Sequence, residues 1–158
     1  MRKRGFELSF NFILSVLTIA FIVAVAMYAI IHFLSLQNCA QLGLFQQELQ
    51  REVDKAWNSE IARSTFSGTI PTGIESVCIG NVSYGGGLEE YPSLRKYLRE
   101  NYLLFFYPTE NACDQAAYPL AHIDTATRSS FRCYDVEGGK VSFTITKSGA
   151  ASLVSITP

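Results

Sequence analysis

Four cysteines, two histidines and one His-x-Asp step are the residues of this 158-residue chain whose types could do chemistry. His122-Ile123-Asp124 would place two polar side chains on one face of an extended segment, with Ser129 and Ser130 close by in sequence. A Ser/His/Asp device needs the base within hydrogen-bond reach of the nucleophile and oriented by the acid. Spacing along a chain does not supply that, and the triplet is commonplace in a chain of this size. Cys113-Asp114 with His122 and Asp124 matches no metal cage, and the lack of any C-x-x-C pair argues against a zinc site or a thioredoxin-like motif. Tyr84-Gly85-Gly86-Gly87 is followed by Leu88-Glu89-Glu90 rather than Lys-Ser/Thr, so it is no phosphate loop. Neither Glu89-Glu90 nor Asp135 with Glu137 resembles a twelve-residue calcium loop. Phe105-Phe106-Tyr107 reads as core packing before it reads as a ligand platform. The residues point to no catalytic centre, no metal, no cofactor and no small-molecule substrate.

The cysteines fit an oxidised, structural use. Cys39, Cys78, Cys113 and Cys133 are an even number in a small domain, as a disulfide framework requires. Three pairings are open. Cys113 with Cys133 is preferred because the two bracket one strand-loop unit, and Cys39 is also placed to pair between subunits. Asn81-Val82-Ser83 is a glycosylation sequon in a glycine-rich loop.

The elements that would position these residues begin with an apolar run. No formally charged side chain occurs from Leu8 to Gln47, and Arg2-Lys3-Arg4 stands just ahead. Phe12 to Leu34 would form a helix of about 34 Å, against a hydrocarbon core of about 30 Å. Its fourteen Leu, Ile, Phe and Val residues favour insertion by roughly 4–8 kcal/mol, enough to absorb Ser15, Thr18, Tyr28 and His32. His32, at the outer end, reads as an interfacial residue. The first Lys or Arg beyond the run is Arg51, so the positive-inside rule keeps the N-terminus cytoplasmic and sends everything after Leu34 outside. The run is too long for a cleaved secretory signal and has no small-x-small site at its end. A retained anchor in the lipid bilayer is the expectation.

Beyond residue 34 the ten Lys/Arg (13 less the three of the leader) face thirteen Asp/Glu (14 less Glu7), a net of about −3. That balance lacks the basic footprint of a nucleic-acid binder. Ser35 to Arg63 contains no proline, and Leu42, Phe45, Leu49, Val53, Ala56 and Trp57 fall on one helical arc opposite Gln47, Arg51, Asp54 and Lys55. One long helix is expected, apolar in its first half and amphipathic in its second. Ser64 to Gly73 is turn-rich. Ile74 to Ile79 alternates like a half-buried strand, Tyr91 to Glu100 has the mix of a short helix opened by Pro92, and Tyr102 to Tyr107 reads as a central strand. Ser130 to Val136 and Val141 to Lys147 flank Glu137-Gly138-Gly139-Lys140, a hairpin signature, and Ala151 to Ile156 adds a last strand. The fold class is α+β: a basic leader (1–7), a transmembrane helix (8–34), its amphipathic extension (35–63) and an extracytoplasmic β-rich domain (64–158), with the helix packed on a small antiparallel sheet.

That layout resembles the type IV pilin superfamily. Arg4-Gly5-Phe6 followed at once by the apolar run is similar to a prepilin peptidase site, which implies cleavage after Gly5. Glu7-Leu8-Ser9-Phe10-Asn11-Phe12 is similar to the archaeal class III signal pattern, with Glu7 in place of its glutamine and Asn11 in place of its glutamate. The glutamate of bacterial pilins at the fifth position after cleavage is here Phe10. The resemblance implies a subunit that is stored in the membrane and self-associates, or joins related pilin-like subunits, into a filament or pseudopilus. It also implies assembly contacts at Glu7 and Asn11, Glu7 pairing with a neighbour's new amino terminus, and close helix approach at Ala20, Ala24, Ala26 and Ala29. An uncleaved bitopic envelope protein whose β domain binds a partner is the alternative, and an extracytoplasmic hydrolase centred on His122 the third reading.

Overall fold

The computed structural model describes residues 4–83, 87–113, 116–124 and 131–158, with the side chains of residues 4–9, 35 and 87 outside that description. A single helix, α1 (Arg4–Trp57), opens the chain. It contributes to two compact units, Met1–Gln37 and Asn38–Pro158. In the first unit every described side chain from Phe10 to Leu34 is exposed, Phe12 by 70% and Tyr28 by 73%. This stretch is long and apolar enough to cross a membrane. The hydroxyl of Thr18 donates to the Leu14 carbonyl at 2.8 Å, so the helix satisfies that polar group internally.

In the second unit the same helix becomes amphipathic, as expected, except that Trp57, assigned to the apolar arc, is exposed at the helix end. Leu42, Phe45, Leu49, Val53 and Ala56 are buried while Gln47, Arg51 and Lys55 face solvent. At about 1.5–3 kcal/mol each, the first four side chains contribute roughly 6–12 kcal/mol of gross burial energy. The helix ends at Trp57, short of the expected Arg63, because strand pairing begins at Ala62. Its last carbonyls are capped from the far end of the chain. Lys147 donates from Nζ to the carbonyl of Trp57 and, at 2.8 Å, to that of Ser59. A cation there also complements the negative end of the helix dipole.

The expected antiparallel sheet is present as two. One has the order β1-β6-β7, from β1 (Ala62–Thr69), β6 (Lys140–Lys147) and β7 (Ser155–Thr157). The other has the order β4-β3-β2-β5, from β2 (Ser76–Ile79), β3 (Leu104–Tyr107), β4 (Ala117–Tyr118) and β5 (Arg132–Asp135). The segment taken as turn-rich is largely β1, whose inward positions are Phe66 and Gly68 and whose outward ones are Arg63, Thr65, Ser67 and Thr69. With glycine and half-buried Ala62 facing in, the period of two carries little hydrophobic contrast. The short helix after Pro92 is a 3-10 turn, Pro92–Tyr97. β3 is internal and buried on both faces at Leu104, Phe105 and Phe106.

The hairpin needs correction. The Gly138-Gly139 turn forms, with φ of 58° and 74° and reciprocal hydrogen bonds between Glu137 and Lys140, the geometry of a type I′ turn. The strands on either side then part into different sheets. Val136 donates to Glu75 just ahead of β2, and Ile70 just past β1 donates to Gly139, so the turn is bonded to both sheets at once. It is a corner between layers. Phe45 of α1 sits over that junction, edge-on to Phe66 of the first sheet at 5.4 Å and to Phe106 of the second at 5.7 Å.

The preferred Cys113–Cys133 pairing is also overturned. The bonds are Cys39–Cys113 and Cys78–Cys133. Cys78 and Cys133 are direct partners in the β2–β5 register, so their side chains leave one face side by side. Cys113 follows the 3-10 turn Thr109–Asn111 and is joined to α1 at Cys39, which is therefore bonded within the chain rather than to another subunit.

Candidate functional site

The residues expected to act in processing and assembly lie along the first part of α1. Arg4, Gly5, Phe6 and Glu7 belong to its first two turns by backbone, and their side chains fall outside the described residues. Asn11 is exposed, the one amide among the apolar side chains of that stretch, and Ala20, Ala24, Ala26 and Ala29 are exposed as well. Tyr28 and His32, one turn apart, stack with centroids at 6.2 Å. What this surface offers chemically is predominantly apolar contact, interrupted by Asn11, Ser15, Thr18 and His32. A helix of that kind is stable in lipid or packed among similar helices.

The most developed side-chain cluster of the second unit gathers at the last turns of α1. The Trp57 and His122 rings stack at 3.8 Å and 12°. His122 Nε2 lies 3.9 Å from Asp54 Oδ1, which also accepts from Gln50 Nε2 at 2.6 Å. Gln50 Oε1 in turn accepts the Ala121 N–H at 2.9 Å, and the Trp57 indole donates to the Ser152 carbonyl at 3.1 Å. His122 has φ of 65°, in the left-handed region, so the extended alternation expected of His122-Ile123-Asp124 does not hold. Ile123 bridges Val154 in parallel and is buried. The acid that faces His122 is thus Asp54, 68 positions away, a partnership no local spacing announces. The sequence pattern pointed the other way, placing Trp57 on the apolar arc and Asp54 on the side opposite it. With one ring face covered by indole, His122 acts as a clamp between α1 and the 121–124 segment. Ser129, Ser130 and Asp114 lie outside the described residues.

Three tyrosines have environments that resist ionisation. Burial pushes the Tyr134 phenol up, opposed by the charge of Arg132, and burial alone does so for Tyr118. Tyr91 is raised first by burial and then by the Glu90 carboxylate. Its ring stands edge-on to Tyr107 at 4.9 Å, near the Ser76 hydroxyl that donates to Asp135 Oδ1 at 3.2 Å. Among the described residues no three of His, Cys, Asp and Glu converge as a metal site. A shallow groove lined by Asn58, Ser59, Glu60, Ile61, Lys147 and Gly149 lies beside the end of α1, with the Lys147 ammonium already committed to the Trp57 and Ser59 carbonyls. The sequon folds as a turn, Asn81 Oδ1 accepting the Ser83 N–H at 2.9 Å.

Comparison with protein-family models, with curated proteins and with solved structures finds no match, so residues and geometry carry the functional reading.

Proposed function

We propose that the chain is a single-pass, membrane-anchored, pilin-like structural subunit that works by assembly into an extracellular filament or pseudopilus, without turnover. The observation that supports this best is the uninterrupted 54-residue helix, with exposed apolar side chains from Phe10 to Leu34 and a buried face from Leu42 to Ala56. Storage in lipid suits the first stretch. Assembly then exchanges acyl chains for neighbouring helices, and one-turn spacing of small residues such as Ala20 and Ala24 favours close approach. The two disulfides support an oxidising, extracytoplasmic compartment for the β unit. The basic leader keeps the N-terminus cytoplasmic.

N-terminal sequencing and intact mass of the protein from its native membrane test the proposal. A mature chain beginning at Phe6, recovered as a homopolymer or with similar subunits, is the expected result. A chain that retains residues 1–5 and forms a stable one-to-one complex with another envelope protein would refute it and establish the uncleaved bitopic reading.

A further inference from the structure

We infer that Asn81 is a site of N-linked glycosylation. The inference rests on the proposed export of the β unit, since the donor is a lipid-phosphate-linked oligosaccharide used on the non-cytoplasmic side of the membrane.

The carboxamide nitrogen of asparagine is a poor nucleophile, because its lone pair is delocalised into the carbonyl. A sequon helps only where the residue two positions on is brought alongside the amide. Here Asn81 Oδ1 accepts the Ser83 N–H at 2.9 Å, closing an Asx-turn that places residue 83 beside the side chain. The carboxamide is held through its oxygen, and among the described residues no hydrogen bond engages Nδ2. The middle residue anchors the turn. Val82 is 4% exposed and joins the cluster of Cys78, Leu94 and Phe105. Ser83 is exposed and Asn81 half-buried, so the acceptor residue and the hydroxyl residue of the sequon flank a buried pin. Upstream, Gly80 has φ of 118° and donates to the Leu103 carbonyl, which fixes the exit from β2. A residue with a side chain would adopt that φ only with strain.

In the transfer, a bond forms from Nδ2 to the anomeric carbon and the bond from that carbon to the phosphate oxygen breaks. The lipid phosphate leaves with the electron pair, and one Nδ2 proton passes to a base of the transferase. The product is a glycan carried at the end of β2, three residues past the Cys78–Cys133 crosslink.

The test uses full-length protein from its native membrane, reduced, alkylated and digested with trypsin. The peptide Ser64–Arg95 contains the sequon and no internal Lys or Arg. It is expected to carry excess mass in whole sugar units, to lose it completely in Asn81→Gln and Ser83→Ala, and to keep it in Ser83→Thr. Thiol labelling before reduction separates the two proposals. An unmodified peptide together with oxidised cysteines overturns glycosylation and leaves export standing. An unmodified peptide with labelled thiols overturns both. Retained mass in Asn81→Gln would move the glycan elsewhere and overturn the assignment.

Discussion

Cutting the bond between α1 and the β3–β4 connection is the most informative perturbation. Cys39 stands one turn before Leu42, the first fully buried residue of the helix, and Cys113 lies 74 positions further on. In the chain-entropy account a crosslink of that span contributes about 4 kcal/mol by restricting the unfolded chain. The two disulfides interlock, so the surviving Cys78–Cys133 bond offers an alternative path of 39 positions from Cys39 to Cys78 and 20 from Cys133 to Cys113. A loop of roughly 60 instead of 74 changes the result by only a few tenths of a kcal/mol. Against it, Cys113 has φ of 57°. Release from the left-handed region returns about 1 kcal/mol. Cys39→Ser with Cys113→Ser is therefore expected to destabilise the Asn38–Pro158 unit by about 3 kcal/mol, a large share of the roughly 5–15 kcal/mol that holds a domain together.

Trp57, the single tryptophan, reports from the end of α1, so denaturant unfolding in detergent micelles followed by its fluorescence reads the change directly. Amide exchange of residues 38–45 is expected to rise even in the folded state. A midpoint shift worth less than about 1 kcal/mol, with unchanged exchange, would mean that the apolar face alone seats the helix, and the loop argument would fail.

Gly68→Ala would drive a methyl into the Phe45 ring, which Phe66 and Phe106 hold on two sides, and is expected to cost about 1–3 kcal/mol in the same assay, partly recovered by Phe45→Leu. Tyr134→Phe removes a buried hydroxyl that has no partner among the described residues, so the variant should be about 1 kcal/mol more stable. The same variant tests alkaline behaviour. Burial raises the folded-state pKa of Tyr134, so its contribution is intact below about pH 10 and lost as pH climbs through the raised value. Tyr134→Phe should flatten that decline in a pH series of unfolding curves, leaving the part due to Tyr91 and Tyr118. Lys147→Met strips the cap from the Trp57 and Ser59 carbonyls and is expected to cost about 1–2 kcal/mol, with faster amide exchange at residues 58–62; unchanged exchange would assign the capping to other groups.

What could be read from the residues, and what could not, divides by range. The arc of Leu42, Phe45, Leu49, Val53 and Ala56 was legible because a helix repeats its burial within a few residues. β3 was legible because a strand covered on both faces is apolar throughout, and the Gly138-Gly139 turn because two successive positive φ values demand glycine. The sheet that β5 joins is set by Glu75 and Ser76, about sixty residues earlier, and β1 was hidden by inward Gly68. The disulfides and the Asp54–His122–Trp57 clamp likewise depend on partners brought together only by the finished core.

The same division bears on the proposed assembly. From Leu42 onward α1 has a partner supplied by its own chain, and the one-sided pattern says so. From Phe10 to Leu34 the described side chains are exposed and predominantly apolar, which on the proposed reading suits lipid or neighbouring helices. Lipid tails and neighbouring apolar helices are nearly equivalent surroundings for Leu, Ile, Val and Phe, and packing detail and small residues decide between them. On the proposed reading such a stretch exchanges one apolar surrounding for another during assembly, and the Asn38–Pro158 unit must stay seated on the helix from Leu42 onward. The Cys39–Cys113 bond, placed where the buried face begins, supplies that seat. Substitutions in the β core and at the disulfide should therefore weaken assembly as strongly as changes at Ala20 or Ala24, although none of them touches the apolar stretch.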